Sequence, residues 1–268
     1  MTESLRLRIL RLLTSPFGKA RTCAELAGQA GGSEAEARAA LEGLRQDGWV
    51  LEFTGGRVSC AAEPSWLNPD AIQLHLQTRY LGRPLVVYHE TNSTNDRARQ
   101  AAQGGAAEGL AIFAETQTSG RGQHGRRWLS PPGTGLWFTV LLRSALPVDD
   151  YPQLVQAAAL STAEALDRYM TVPPLIKWPN DLYIERSKVA GFLLESASDG
   201  AWQVLGFGIN VHAVPDLPGA RITCVDQHAG YPPVRRAQLA AEILYRFESW
   251  YQGWDTQRLA ECIRTRQR

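Results

Sequence analysis

The chain has 268 residues, 44% of them hydrophobic and 21% charged, with a formal net charge of +1 at neutral pH. That length holds one large domain and a small one. So small a net charge excludes a global field drawing the protein to nucleic acid or to an anionic membrane, and any such affinity must come from a local patch. Of 28 basic residues only three are lysines, Lys19, Lys177 and Lys188, which marks each lysine as a place to look for chemistry. Cys23, Cys60, Cys224 and Cys262 are scattered, with no C-x-x-C pair and no histidine at ligand spacing, against a zinc site or a disulfide framework. Met1-Thr2-Glu3-Ser4 opens no signal peptide, and no stretch approaches the apolar length of a membrane span. A cytoplasmic protein is expected.

In chain order, residues 4–47 read as three short helices. Leu5, Ile9, Leu12 and Leu13 give the first an apolar face. Thr22 is placed to cap the second, which Gly31-Gly32 ends, and Ser33 with Glu36 forms a capping box for the third. Trp49–Phe53 and Arg57–Cys60, separated by Gly55-Gly56, read as a hairpin. Helices followed by a hairpin give the order of a winged helix-turn-helix over residues 1–62. Its third helix is net acidic, with Glu34, Glu36, Glu42 and Asp47 against Arg38 and Arg45, which is a poor recognition helix for DNA.

Residues 63–69 read as a linker and 70–268 as a second domain. There, strands are expected at Leu85–Glu90, Leu110–Ala114, Leu136–Leu142, Leu175–Trp178, Leu182–Glu185, Val189–Ser196 and Val204–Val211. Helices are expected at about Thr94–Gln103, Pro152–Met170 and Arg235–Tyr251. Closely spaced strands with inserted helices predict α+β with a mixed sheet.

Four segments carry the chemistry. Asn92-Ser93-Thr94-Asn95 follows a strand and starts a helix, so its short polar side chains either cap that helix or present donors to a small polar ligand. Gln117 leads into Gly120-Arg121-Gly122-Gln123-His124-Gly125-Arg126-Arg127-Trp128. Glycines there let backbone N–H groups converge on an anion, and the arginines offer permanently charged forks to the same oxygens. Lys177-Trp178-Pro179-Asn180-Asp181 places a cation beside two oxygen ligands suited to nucleotide-bound Mg²⁺, with Lys188 and Gly191 across a hairpin. Gly206-Phe207-Gly208-Ile209-Asn210 puts glycines inside a strand, which marks a bulge or a close approach to a ligand. Cations, a metal turn and a glycine-lined slot, without a Ser-His-Asp set, point to phosphoryl or nucleotidyl chemistry by positioning and electrostatics.

In order and spacing, Ser93-Thr94-Asn95, Gln117, the Gly120–Trp128 loop, Lys177–Asp181, Lys188-x-Ala190-Gly191 and Gly208-Ile209-Asn210 resemble the signature set of the biotin protein ligases. With the N-terminal segment, the layout resembles the bifunctional form that also represses biotin operons, over about residues 5–265. The resemblance implies a class II synthetase-like catalytic domain. It implies biotin and ATP as substrates, Mg²⁺, and biotinyl-5′-AMP passed to a lysine of a biotin carboxyl carrier protein.

By the same resemblance, Ser93, Thr94, Asn95, Gln117, Gly120, Arg121, Gly122, Gln123, Trp128, Lys188, Gly191 and Gly208 would surround biotin. Arg121, Arg126, Trp128, Lys177, Asn180, Asp181, Ile209 and Asn210 would serve the nucleotide, with Asp181 on Mg²⁺ and with Lys188 and Arg121 catalytic. Operator DNA and a homodimer through the central sheet are implied partners. Two departures stand out. Gln123 occupies a position that is often basic, and the end at Arg268 implies that the small C-terminal β-barrel of many relatives is absent. A biotin-sensing regulator with weak ligase activity, and a lipoate or octanoyl ligase or transferase, are the alternatives.

Overall fold

Ser4 opens helix α1 (Leu5–Thr14) by accepting the Leu7 N–H, and Leu7, Ile9, Leu10 and Leu13 form its buried face. A two-residue strand β1 (Arg21–Thr22) precedes α2 (Cys23–Ala30), which begins with a Thr22/Glu25 capping box and ends at left-handed Gly31. The expected Ser33/Glu36 capping box starts α3 (Glu34–Gln46). Strands β2 (Val50–Thr54) and β3 (Arg57–Ala62) pair antiparallel around Gly55 and Gly56, both at positive φ as such a turn requires. β1 joins β3, giving the sheet order β1-β3-β2.

The computed structural model describes residues 3–215, 217–231 and 233–267 and divides into two compact units, Met1–His75 and Leu76–Arg268. The division falls later than the linker expected at 63–69. Residues 63–68 carry no helix or strand, and helix α4 (Pro69–His75) follows them and belongs to the first unit. Asn68 Oδ1 caps it by accepting the Asp70 and Ala71 N–H groups, at 2.9 and 3.3 Å. Arg6 of α1 holds it by donating to Asp70 at 2.8 Å.

The second unit is built on a seven-stranded mixed sheet in the order β4-β5-β6-β10-β9-β8-β7. Its strands are β4 (Leu85–Thr91), β5 (Ala111–Gln117), β6 (Gly135–Leu142), β7 (Leu175–Lys177), β8 (Asp181–Ile184), β9 (Ser187–Ser196) and β10 (Gln203–Asn210). Among the described residues β4 and β5 pair parallel and the other strand pairs of this sheet are antiparallel, so the expected α+β class with a mixed sheet holds. Helices α5 (Thr94–Gln103), α6 (Tyr151–Leu166), α7 (Arg236–Gln252) and α8 (Thr256–Arg264) complete the unit.

Side chains of neighbouring strands at paired positions share a face, and alternation along each strand separates the two faces. One face carries a row of phenylalanines, Phe113, Phe138, Phe207 and Phe192, in register across four strands. Phe138 and Phe207 stack at 4.4 Å, and Phe247 of α7 meets Phe207 edge-on at 5.8 Å, so this face is the core beneath the helices. The other face bears Trp137, Thr139, Gly206, Gly208 and Gly191, and α5 packs there through Ala98 and Ala102 against Ile112, Leu141 and Val204. Absent side chains on an otherwise filled sheet leave a hollow beside α5. No helix among the described residues is long and apolar enough to cross a membrane.

Candidate active site

The floor of that hollow is set by three glycines. Gly208 pairs with Trp137 on one side and Gly191 on the other. A Cβ on Gly208 would lie 2.6 Å from the Trp128 indole, and one on Gly191 would lie 3.0 Å from both the indole and Lys188 Nζ. A Cβ on Gly206 would come within 2.4 Å of Asn95 Oδ1. The glycines are therefore the room into which Trp128, Lys188 and Asn95 fit.

The wall is the start of α5, where Ser93, Thr94 and Asn95 are all buried. Ser93 stands at the N-cap position but makes no side-chain cap bond, so helix capping does not account for this motif. Gln117 Oε1 instead accepts the Thr94 N–H at 2.9 Å, and Gln117 Nε2 donates to Ser130 Oγ at 2.8 Å. The Thr139 hydroxyl on β6 lies 2.6 Å from Asn95 Oδ1 and 2.8 Å from Thr94 Oγ1. Asn95 Nδ2 donates to Glu195 at 2.8 Å. These polar groups are locked to one another and held facing the cavity.

The Gly120–Trp128 loop closes over the floor as a small hairpin. The Trp128 N–H donates to Gly120 O at 2.9 Å, and the Gly122 N–H donates to Arg126 O at 2.7 Å. His124 (φ 56) and Gly125 (φ 70) make the turn. Of the backbone N–H groups expected to converge on an anion, those of Gly122, Arg126 and Trp128 are used inside the loop. Arg126 and Arg127 are exposed at the cavity rim, whereas Arg121 turns back to the protein and forks onto Asp96 at 2.8 and 2.7 Å. The Arg121 hydrogen bond holds the Asp96 carboxyl below the usual range against the opposing effect of burial.

Lys188 is the second residue of β9 and its backbone is bracketed: its N–H donates to Arg221 O and its carbonyl accepts the Thr223 N–H, both at 2.9 Å. Its Nζ lies 2.6 Å from Asp181 Oδ1 and 5.1 Å from the centre of the Trp128 ring. Asn180 Nδ2 donates to Phe192 O at 3.0 Å, which turns the amide oxygen away from that carbonyl. Among the described residues no group of three or more acidic, histidine or cysteine side chains could hold a metal. One carboxylate and one amide oxygen suit Mg²⁺ that arrives with phosphates supplying the other ligands.

Together these residues enclose a cavity of about 360 Å³, near the lower end of the size of small-molecule sites. Of the residues singled out in the sequence, Ser93, Thr94, Asn95, Gln117, Arg121, Gly122, Gln123, Arg126, Trp128, Asn180, Asp181, Lys188, Gly191 and Gly208 line it. Gly120, Lys177, Ile209 and Asn210 do not. Gly120 is pressed against the Trp128 carbonyl, where a Cβ would sit 2.5 Å away. Lys177 lies on the edge strand, two strands from Gly191, with its ammonium 5.2 Å from the Tyr183 ring centre. Ile209 belongs to the buried core. Asn210, at the end of β10, is buried and donates to Thr223 O at 3.1 Å, supporting the segment that brackets Lys188. Sequence reasoning missed Asp96, Glu195 and the lining residues Leu217, Ala220 and Ile222. Asp96 looks like an ordinary acidic first-turn residue, and residues 217–222 show no periodicity.

Comparison with known proteins gives consistent matches. Residues 87–211 match the biotin/lipoate A/B protein ligase family. Over 224 residues the chain is 31% identical to the bifunctional ligase/repressor BirA of Bacillus subtilis, covering 81% of this chain and 69% of that one. It is 32% identical over 198 residues to the biotin–[acetyl-CoA-carboxylase] ligase of Mycobacterium tuberculosis, covering 70% and 73% of the two chains. Among solved structures it is similar to the biotin protein ligase from Aquifex aeolicus in complex with biotin and ATP. That match has a TM-score of 0.59 and 29% identity, over 68% of this chain and 78% of that chain.

Proposed function

The chain belongs to the biotin/lipoate A/B protein ligase family and to its enzyme class, and on that premise we propose that it joins biotin to ATP and passes the biotinyl group to a lysine of a biotin carboxyl carrier protein. In the first step a biotin carboxylate oxygen attacks the α-phosphorus of ATP, the bond to the β-phosphate bridging oxygen breaks, and pyrophosphate leaves. In the second, the carrier lysine's neutral amine attacks the acyl carbon of biotinyl-5′-AMP, AMP leaves with the acyl–oxygen bond pair, and the new amide nitrogen gives up its proton.

The observation that carries this reading is Lys188, set on a glycine floor between Asp181 and the Trp128 face. Two anions must meet before the first bond forms, and a cation between them offsets their repulsion best where water is scarce. Arg126 on the rim adds charge for the phosphates. Asn180 and Asp181 would hold the Mg²⁺ that enters with ATP, and that ion would supply charge to the phosphates beside Lys188. The wall of buried Ser93, Thr94 and Asn95 with half-buried Gln117 supplies fixed donors and acceptors for a polar ring system. The Gly120–Trp128 hairpin excludes water that would hydrolyse the anhydride.

The test is pyrophosphate release with Mg-ATP and either biotin or lipoate. Release with biotin supports the reading. Release with lipoate alone moves the substrate within the family, and release with neither ends the proposal.

A regulatory reading rests on the order of the elements in residues 5–62, which fits a winged helix-turn-helix, and on the repressor half of the Bacillus subtilis relative's name. The charge of α3 weighs against operator binding, since Arg38 and Arg45 are each paired with a glutamate of that helix. A gel shift with the promoter of the organism's biotin genes, with and without biotin, decides it.

A further inference from the structure

Of the three arginines in the Gly120–Trp128 loop, Arg121 is the one that carboxylates hold. Asp96 takes its guanidinium with both oxygens, at 2.8 and 2.7 Å, and Glu195 lies 3.4 Å from the same fork. The two carboxylates come from different elements, Asp96 from the first turn of α5 and Glu195 from β9. Each is itself fixed. Asn92 and Arg99 donate to Asp96 at 3.1 and 2.7 Å, and Asn95 donates to Glu195 at 2.8 Å. Helix, strand and loop thus meet at one half-buried cluster, to which the loop contributes Arg121. Farther along, Trp128 fits into the space over Gly191 and Gly208. Between these two anchors, His124 to Arg127 are exposed.

We propose that Asp96, backed by Glu195, is a latch that holds the Gly120–Trp128 loop closed through Arg121 and so governs how long the adenylated intermediate is retained. The functional half of this proposal rests on the ligase reading above; the mechanical half does not. Bidentate carboxylate–guanidinium pairs are directional and stronger than single contacts, and a half-buried one is screened less than a surface pair. Arg121 is therefore a tether whose fork is taken by two carboxylates, whereas Arg126 and Arg127 stand exposed at the cavity rim. Asp96 is a positioning residue: it does not line the cavity, and it acts on the ligand only through the loop.

The experiment compares the full chain with its Asp96→Asn, Asp96→Glu and Glu195→Gln variants. Hydrogen exchange of the Gly122 and Trp128 amides is read without ligand, and release of biotinyl-5′-AMP is read after one turnover. Removing the charge at position 96 is expected to speed loop exchange by about ten-fold, the factor that corresponds to ~1.4 kcal/mol. Intermediate release rises by a similar factor and by more than first-turnover pyrophosphate formation falls. Glu195→Gln gives a smaller effect in the same direction, and Asp96→Glu restores part of the protection. A residue that merely supported α5 would raise exchange throughout that helix and lower the melting temperature, with no preference for the loop. That pattern, or unchanged loop exchange in Asp96→Asn, overturns the latch. If the native chain releases no pyrophosphate with biotin, the ligase reading falls, and the exchange measurement still decides whether the latch exists.

Discussion

On α3 of the first unit, Arg38 and Arg45 lie across from Glu34 and Glu42 of the same helix, all four well exposed, whereas in the second unit Arg121 and Lys188 reach carboxylates on other elements around a cavity. The first pattern is a solvated helix surface: pairs three or four residues apart contribute a few tenths of a kcal/mol each and leave no net positive field. The second gathers charge from segments 7 to 74 residues apart into a partly buried place. Charge that is matched locally stabilises a helix, and charge that is matched across the fold builds a site.

Breaking the long-range side of this comparison should produce the largest effect. Lys188→Ala removes the cation between the reacting anions, and biotin-dependent pyrophosphate release should fall by about 100-fold or more. Its circular dichroism should stay native, and normal turnover by this variant would remove Lys188 from the mechanism. Next is Gly208→Ala, whose Cβ would push into the Trp128 indole from 2.6 Å away. We expect roughly ten-fold weaker biotin binding by calorimetry, since even small misplacements of a positioned group are costly.

A smaller effect follows from pH. The Asp96 carboxyl is held below its ordinary range, chiefly by its hydrogen bond to Arg121, with Arg99 and Arg97 adding to it. A depressed carboxylate contributes stability above its unfolded pKa, and that contribution is lost as pH falls through the lowered folded value. Loop protection, corrected for intrinsic exchange, should be flat from alkaline pH down to about pH 5 and should fail only in stronger acid. A loss of protection near neutrality would point to a different group. The smallest change is expected on α3. Arg38→Ala with Arg45→Ala should alter affinity for biotin-promoter DNA by less than about two-fold at physiological salt, because those charges are already compensated. A large loss in a gel shift would restore α3 as a recognition helix.

Local signals in the sequence were legible. Ser33 with Glu36 forms its capping box, and Gly55-Gly56 turns its hairpin. The strand segments of the second unit pair into the expected mixed sheet. Fourteen of the expected site residues line one cavity, because glycine-rich and short polar motifs report close approach directly. Residues 63–68 carry no helix or strand, yet the two units divide only after His75, because a further helix starts at the end of that stretch. Pro69 looks like a chain breaker, but after Asn68 it is the first residue of a helix, where a missing N–H costs nothing. Lys177 and Asn210 adjoin true lining residues in the sequence but stand outside the cavity, one on the edge strand and the other at the end of β10 with its amide donated to Thr223 O. The Asp96–Arg121–Glu195 cluster left no local trace, since its members meet only once α5, the loop and β9 are folded.

The most direct test is a crystal structure of the protein after incubation with biotin and Mg-ATP. We expect biotinyl-5′-AMP beneath Trp128, with its phosphate within hydrogen-bond distance of Lys188 Nζ and with Arg121 still on Asp96. An adenylate bound elsewhere, or in this cavity with Lys188 still paired to Asp181 and away from the phosphate, would contradict the account.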